Sequence, residues 1–167
     1  MTLENLHTPR LRGERLRPDH VDEIRRMHAD ARVMANLGGV RTEAQNQDYL
    51  RRNLDHWDRF GFGLYIVHDV ETDAIVGRAL LRHLDVDGVD EVELGYALYP
   101  EWWRRGLATE IARACMSAGR RQLGLASLVA VTLPENRGSR AVMTKVGMTY
   151  ERDFTHAGLT HVLYRGA

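Results

Sequence analysis

A single cysteine, Cys115, leaves nothing to pair with, so the chain makes no internal disulfide and no Cys-based metal cluster. Net charge is also missing. Lys+Arg and Asp+Glu both total 23, so no global field draws nucleic acid or an anionic membrane, and any anion recognition must be local. Long apolar runs are absent. The opening "MTLENLHTPRLRGERL" does not read as a signal peptide, and nothing approaches a membrane span. There is no GxxxxGK[ST] phosphate loop and no GxGxxG dinucleotide fingerprint. Low-complexity tracts, linkers and internal repeats are lacking too. What is left is ordinary globular composition, 44% hydrophobic and 28% charged over 167 residues. The expectation is one cytoplasmic domain, 1–167, without metal.

The order of elements follows from punctuation and periodicity. A strand is expected over Arg10 to Arg17, closed by Pro18. Asp19 is read as the N-cap of a helix to Ala29, with Val21, Ile24 and Met27 as its apolar stripe. A short helix near Ala31 to Leu37 stops at Gly38-Gly39. Thr42 with Gln45 makes a capping box for a helix to Arg59, and Gly61 suits its C′ position. Strands follow at Phe62 to Val70, Ala74 to Val86 and Asp90 to Tyr99, with a turn at Asp87-Gly88. A helix from Gly106, a strand from Ser127 to Leu133, a helix in "PENRGSRAVMTKVG" and two strands split at Ala157-Gly158 complete the chain. The order β-α-α-β-β-β-α-β-α-β-β predicts a mixed α/β fold, not the regular alternation of a Rossmann domain.

The segment "EWWRRGLATEIARA" (101–114) carries the sharpest functional signal. A helix beginning at a glycine exposes its first amide N–H groups and the positive end of its dipole. A loop entering such an end can wrap a phosphate, and Arg104 and Arg105 add charge at its mouth. Alone, "RRG" reads better as an exposed basic turn ahead of a core helix.

Two stretches together change that weighting. "VELGYALYPEWWRRGLATE" and "PENRGSRAVMTKVGMTYE" resemble the GNAT acetyltransferases, and more narrowly their branch of ribosomal-protein N-terminal acetyltransferases. The likeness runs in order over nearly the whole chain, including "HTPRLRGERLRPDHVDEI". It implies the GNAT acyl-CoA N-acyltransferase fold, acetyl-CoA as cosubstrate and an amine as acceptor, and it allows a homodimer. It places the pyrophosphate on Arg104, Arg105, Gly106, Leu107, Ala108 and Thr109. It pairs the pantetheine arm with main chain from Leu98 and Tyr99 to Glu101, and with Asn136, which also suits an N-cap. Family members usually have glycine where this chain has Arg104. A strand bulge that splays the neighbouring strand is also usual there, and the sequence gives no sign of one.

Acetyl transfer to an amine needs a base, a held carbonyl and a stabilised leaving thiolate. In "DEVELGYALY", Val92, Leu94, Tyr96 and Leu98 share one face; Glu91, Glu93, Gly95, Ala97 and Tyr99 share the other. Glu93, beside two very small residues, is the first candidate for the base; a solvated strand carboxylate is the competing reading. His83, His156 and His161 are weaker candidates. Many family members return a proton from a tyrosine in the second motif's helix, where this chain has Met143. Ser139 remains there, and the resemblance places it near the sulfur; a first-turn serine satisfied by backbone is the alternative. Met34, Tyr49, Trp57, Phe60 and Phe62 lie in regions expected to form the acceptor pocket and the core. Two rival functions are an acyl-CoA-binding sensor that has lost catalysis and a basic-loop interaction domain without cofactor.

Overall fold

The computed structural model describes residues 2–167. The chain runs β1 (Asn5–His7), β2 (Leu11–Arg15), α1 (Val21–Ala29), α2 (Ala31–Met34), α3 (Glu43–Phe60), β3 (Leu64–Asp69), β4 (Ile75–Val86) and β5 (Val89–Leu98). It continues through α4 (Leu107–Arg121), β6 (Leu128–Thr132), α5 (Arg137–Lys145), β7 (Thr149–His156) and β8 (Leu159–Gly166). The strands form one sheet of eight, in the order β1-β2-β3-β4-β5-β6-β8-β7. Each pairing is antiparallel except β5 with β6. This is the mixed α/β architecture expected.

The long β4–β5 hairpin sets the geometry of the middle. Asp87 and Gly88 both take positive φ, 52° and 85°. That backbone matches the right-handed twist of a two-residue hairpin. Pairing then runs without interruption from Val86–Val89 to Gly77–Leu98. Because opposed residues share a face, Arg82 stands beside Glu93 and Arg78 beside Ala97.

The helices divide between the two faces. The Tyr96 side chain reaches α5, and α4 packs on β4 and β5. Arg78 reaches α1 and α3 on the other side. Leu94, Leu98, Leu107, Ile111, Ala112 and Cys115 belong to the main core. Met34, Tyr49, Trp57 and Phe62 are buried.

Local signals mostly hold. Thr42 accepts the Gln45 amide at 3.2 Å and Gln45 accepts the Thr42 amide at 2.9 Å, the reciprocal box that starts α3. Gly61 ends it at φ 74°, as a left-handed C′ position requires. Three expectations need correction. Asp19 does not cap α1: Pro18 starts a 3₁₀ turn through His20, and the Arg17 amide bonds to His20 Nδ1 at 2.9 Å instead. The first strand covers Leu11–Arg15, shorter than Arg10 to Arg17, and α2 ends at Met34, short of Leu37. An eighth strand, β1, precedes them; its three residues with one buried apolar side chain, Leu6, are too few to show alternation.

Candidate active site

Arg104 and Gly106 both turn left-handed, at φ 60° and 75°, just ahead of α4. Alternation of this kind aims successive amides into one concavity. Among the described residues, none of the amides from Arg104 to Thr109 donates to a main-chain carbonyl; the first to do so is Glu110, to Gly106 at 3.1 Å. The Arg104 and Arg105 side chains are exposed, while Leu107 and Thr109 are buried and offer main chain alone. Arg104 holds a conformation that glycine reaches without steric cost, which is why departure from glycine there strains the loop.

The loop is braced from the first hairpin. Glu110 accepts from Thr8 Oγ1 at 2.5 Å, the Arg10 amide at 2.9 Å and Arg10 Nε at 2.7 Å. Burial opposes the Glu110 charge, but these donors from Thr8 and Arg10 outweigh it and lower its pKa. Arg10 Nη1 also donates to the Arg105 carbonyl at 2.9 Å. Arg105 lies over the Trp102 ring, 5.0 Å from its centroid.

From this mouth a wedge opens between β5 and β6. The two strands register at one position, Glu93 with Val129, whereas β5 continues to Leu98. No bulge interrupts β5 against β4, so the splay is not a bulge in that ladder. The Tyr99 amide donates to Val76 on the β4 side at 2.9 Å. By strand alternation the main-chain groups of Leu98 and Tyr96 face the wedge. Within it the Leu98 carbonyl accepts the Trp103 indole N–H at 2.7 Å. The Tyr99 side chain points elsewhere: it is buried against Met27, Val33 and Met34, with its hydroxyl on Glu23.

Glu93 sits at the closed end of the wedge and is 8% exposed. Its Oε2 accepts from Arg82 Nη2 at 2.9 Å. Burial is the largest influence on Arg82 and lowers its pKa, but the Glu93 charge and hydrogen bond together with Tyr49 outweigh it and raise the pKa of that guanidinium. His156 lies in the same field: burial lowers its pKa and Glu93 raises it, with burial the larger effect. His161 is next to it, ring centroids 5.3 Å apart. His83 instead bonds Asp90 at 2.9 Å and stacks on Phe60 at 4.1 Å, a packing arrangement turned away from the wedge pair.

Asn136 caps α5 by accepting the Ser139 amide at 3.2 Å and donates to Thr132 Oγ1 at 3.0 Å. Ser139 Oγ lies 3.1 Å from the Tyr96 hydroxyl, which also bonds the Ser139 carbonyl at 3.0 Å. The serine is therefore joined to β5 across the wedge. Burial pushes the Tyr96 phenol up to about 12, so it keeps its proton at neutral pH. Sequence reasoning placed Tyr96 with the apolar face and missed this hydroxyl. Met143 is a core residue, 2% exposed. Cys115 is fully buried, its thiol pushed up to about 12 by burial, so it cannot carry an acyl group. No group of three or more metal-ligating side chains occurs among the described residues, and no helix among them is long and apolar enough to cross a membrane.

Known proteins share this fold. The chain is 29% identical over 128 residues to the uncharacterised N-acetyltransferase YnaD of Bacillus subtilis (strain 168), covering 75% of this chain and 71% of that one. An acetyltransferase structure from Agrobacterium tumefaciens superposes with a TM-score of 0.87 at 26% identity, covering 100% of this chain and 96% of the other. The ribosomal-protein α-N-acetyltransferase RimL, solved in complex with coenzyme A, shares the fold with a TM-score of 0.80 at 16% identity, covering 98% and 97%. The family model described as "Acetyltransferase (GNAT) domain" matches residues 10–149. The chain belongs to the GNAT family and is an acetyltransferase.

Proposed function

We propose that the chain moves an acetyl group from acetyl-CoA to a primary amine by direct attack of the amine on the thioester. The observation that carries this is the run of free amides from Arg104 to Thr109, opening at Gly106 onto the wedge between β5 and β6. The diphosphate fits the concavity, with Arg104 and Arg105 as charge partners. The arm fits along the Leu98 main chain and against Asn136, Tyr99 having its amide on Val76 and its carbonyl on Trp102, and a thioester bound in this way supplies the activated acyl group. The Leu98 carbonyl exchanges the Trp103 indole for an amide of the arm.

Glu93 takes the proton that the attacking amine must lose, through water, and Arg82 holds the carboxylate in place. The new C–N bond forms as the C–S bond breaks. Tyr96 and Ser139 act on the leaving sulfur. A phenol at about 12 does not fully protonate a thiolate whose acid titrates near 8.5, so the pair donates a hydrogen bond and solvent supplies the proton. Direct transfer suits a chain whose lone thiol is sealed in the core.

The test is Glu93→Gln assayed against an amine panel with acetyl-CoA. At neutral pH kcat is expected to fall about 10²-fold, within the usual range for a general base, while CoA affinity stays within a few-fold. Unchanged turnover moves the base elsewhere. Binding of CoA without turnover of any amine in the wild type would instead favour the sensor reading.

A further inference from the structure

Four arginines converge on the face that carries Glu93, Gly95 and Ala97. Arg82 is countered by Glu93 at 2.9 Å and Arg52 by Asp48 at 2.7 Å. Arg78 and Arg41 have no carboxylate within salt-bridge distance among the described residues. Arg78 is 5% exposed. Its Nη1 donates to His28 Nε2 at 2.9 Å and to the Tyr49 hydroxyl at 2.6 Å, both neutral acceptors. Burial and then the Arg78 charge hold His28 down to about 4, so the imidazole adds no second charge. Arg41 and Arg78 both stack on the Tyr49 ring, 5.1 Å and 4.9 Å from its centroid. Burial and the charges of Arg78, Arg52 and Arg82 lower the Arg41 pKa.

A buried cation without a counter-charge is costly and is tolerated where an anion is bound in use. No buried side-chain nitrogen or oxygen among the described residues lacks a hydrogen-bond partner. The Nε and Nη2 of Arg78 make no bond within the protein, so they face accessible space. Arg78 stands opposite Ala97, four residues and about 13 Å along the strand from Glu93. Between them on that face the Leu80 side chain lies over Gly95.

We propose that the acceptor is a small amine bearing a carboxylate, which docks on Arg78 and Arg41 while its amino group reaches the wedge beside Glu93. This rests on the acetyl-transfer reading above and names its substrate class. The Arg104–Thr109 loop follows the same end of β5 but leads into α4, on the sheet face opposite to α1 and α3, which Arg78 reaches.

The experiment pairs amino acids from glycine to 6-aminohexanoate with their own carboxamides and measures kcat and KM with acetyl-CoA. Peptide amides beginning with Asp or Glu form a further arm. At least one free acid is expected to exceed its amide by 10-fold or more in kcat/KM through a lower KM, the scale of a charge-assisted pair. Arg78→Gln and Arg41→Gln should each shrink that ratio to about 3-fold or less by raising the KM of the acid. Arg41 is partly exposed, so its variant serves if Arg78→Gln does not fold. Equal use of acid and amide across the panel overturns the proposal, as does an equal loss for both in the variants. Preference for the acidic peptides overturns the small-molecule claim. The same pairs, titrated into CoA-free protein by ligand-observed NMR, separate the two layers. Acid-selective binding lost in Arg41→Gln upholds the proposal even where acetyl-CoA fails to bind, and acid and amide binding alike overturns it.

Discussion

Tyr96 links the strand beside the wedge to the helix that closes it. Its hydroxyl meets both oxygens of Ser139, and its ring packs against the main core. Tyr96→Phe keeps the ring and removes the donor. Stopped-flow or steady-state assay should show kcat lower by about 10-fold, less than the ~10²–10³-fold of an oxyanion-hole donor because solvent also reaches the leaving thiolate, with CoA affinity within 3-fold. An unchanged kcat removes this hydroxyl from the leaving-group side. Arg82 and Glu93 could have been paired from sequence, because the Asp87-Gly88 turn fixes which residues oppose. Tyr96 could not: alternation put it among Val92, Leu94 and Leu98, and nothing local says that its oxygen meets a serine 43 residues away.

At the scale of elements, the wedge depends on α5 starting where it does. Asn136 ends the loop after β6 and starts α5, accepting the Ser139 amide at 3.2 Å. Asn136→Ala should cost about 1 kcal/mol of stability, the usual price of a lost N-cap, and should also raise the KM for acetyl-CoA several-fold. Urea melts and initial rates check the two effects. A stability loss with an unchanged KM leaves Asn136 as a cap alone. The helix boundaries at Thr42, Gly61 and Gly106 were legible because each is a local backbone or capping event. The start of α1 was misread because a proline-led 3₁₀ turn displaced the cap, and β1 was missed because its partner, not its own pattern, makes it a strand.

For the whole molecule, two buried histidines set a pH dependence of stability. His28 and His56 are both held down to about 4 by burial. Between about 6.5 and 4 the unfolded chain therefore binds more protons at these sites than the folded one. Stability present above 6.5 is lost as pH falls through that window, on the order of 2 kcal/mol or more in total. Chemical denaturation at pH 7 and pH 4.5 measures it; His28→Gln should flatten the pH dependence, and an unaltered slope would assign the loss to other groups. The fold was readable at this scale, because motif order over nearly the whole chain carries it. The arginine cluster was not, since the charge excess of Arg41 and Arg78 appears only once β4, α1 and α3 are brought together.

The central claim is that the amides from Arg104 to Thr109, admitted by Gly106, hold the diphosphate of acetyl-CoA. Isothermal titration of CoA into wild type and Gly106→Glu tests it, with circular dichroism confirming that the variant folds. At φ 75° any side chain strains the loop, and glutamate adds a charge that repels phosphate. The account predicts binding by wild type and at least a 10²-fold loss in the folded variant. Equal affinity in the two proteins, or no heat with wild type, contradicts it.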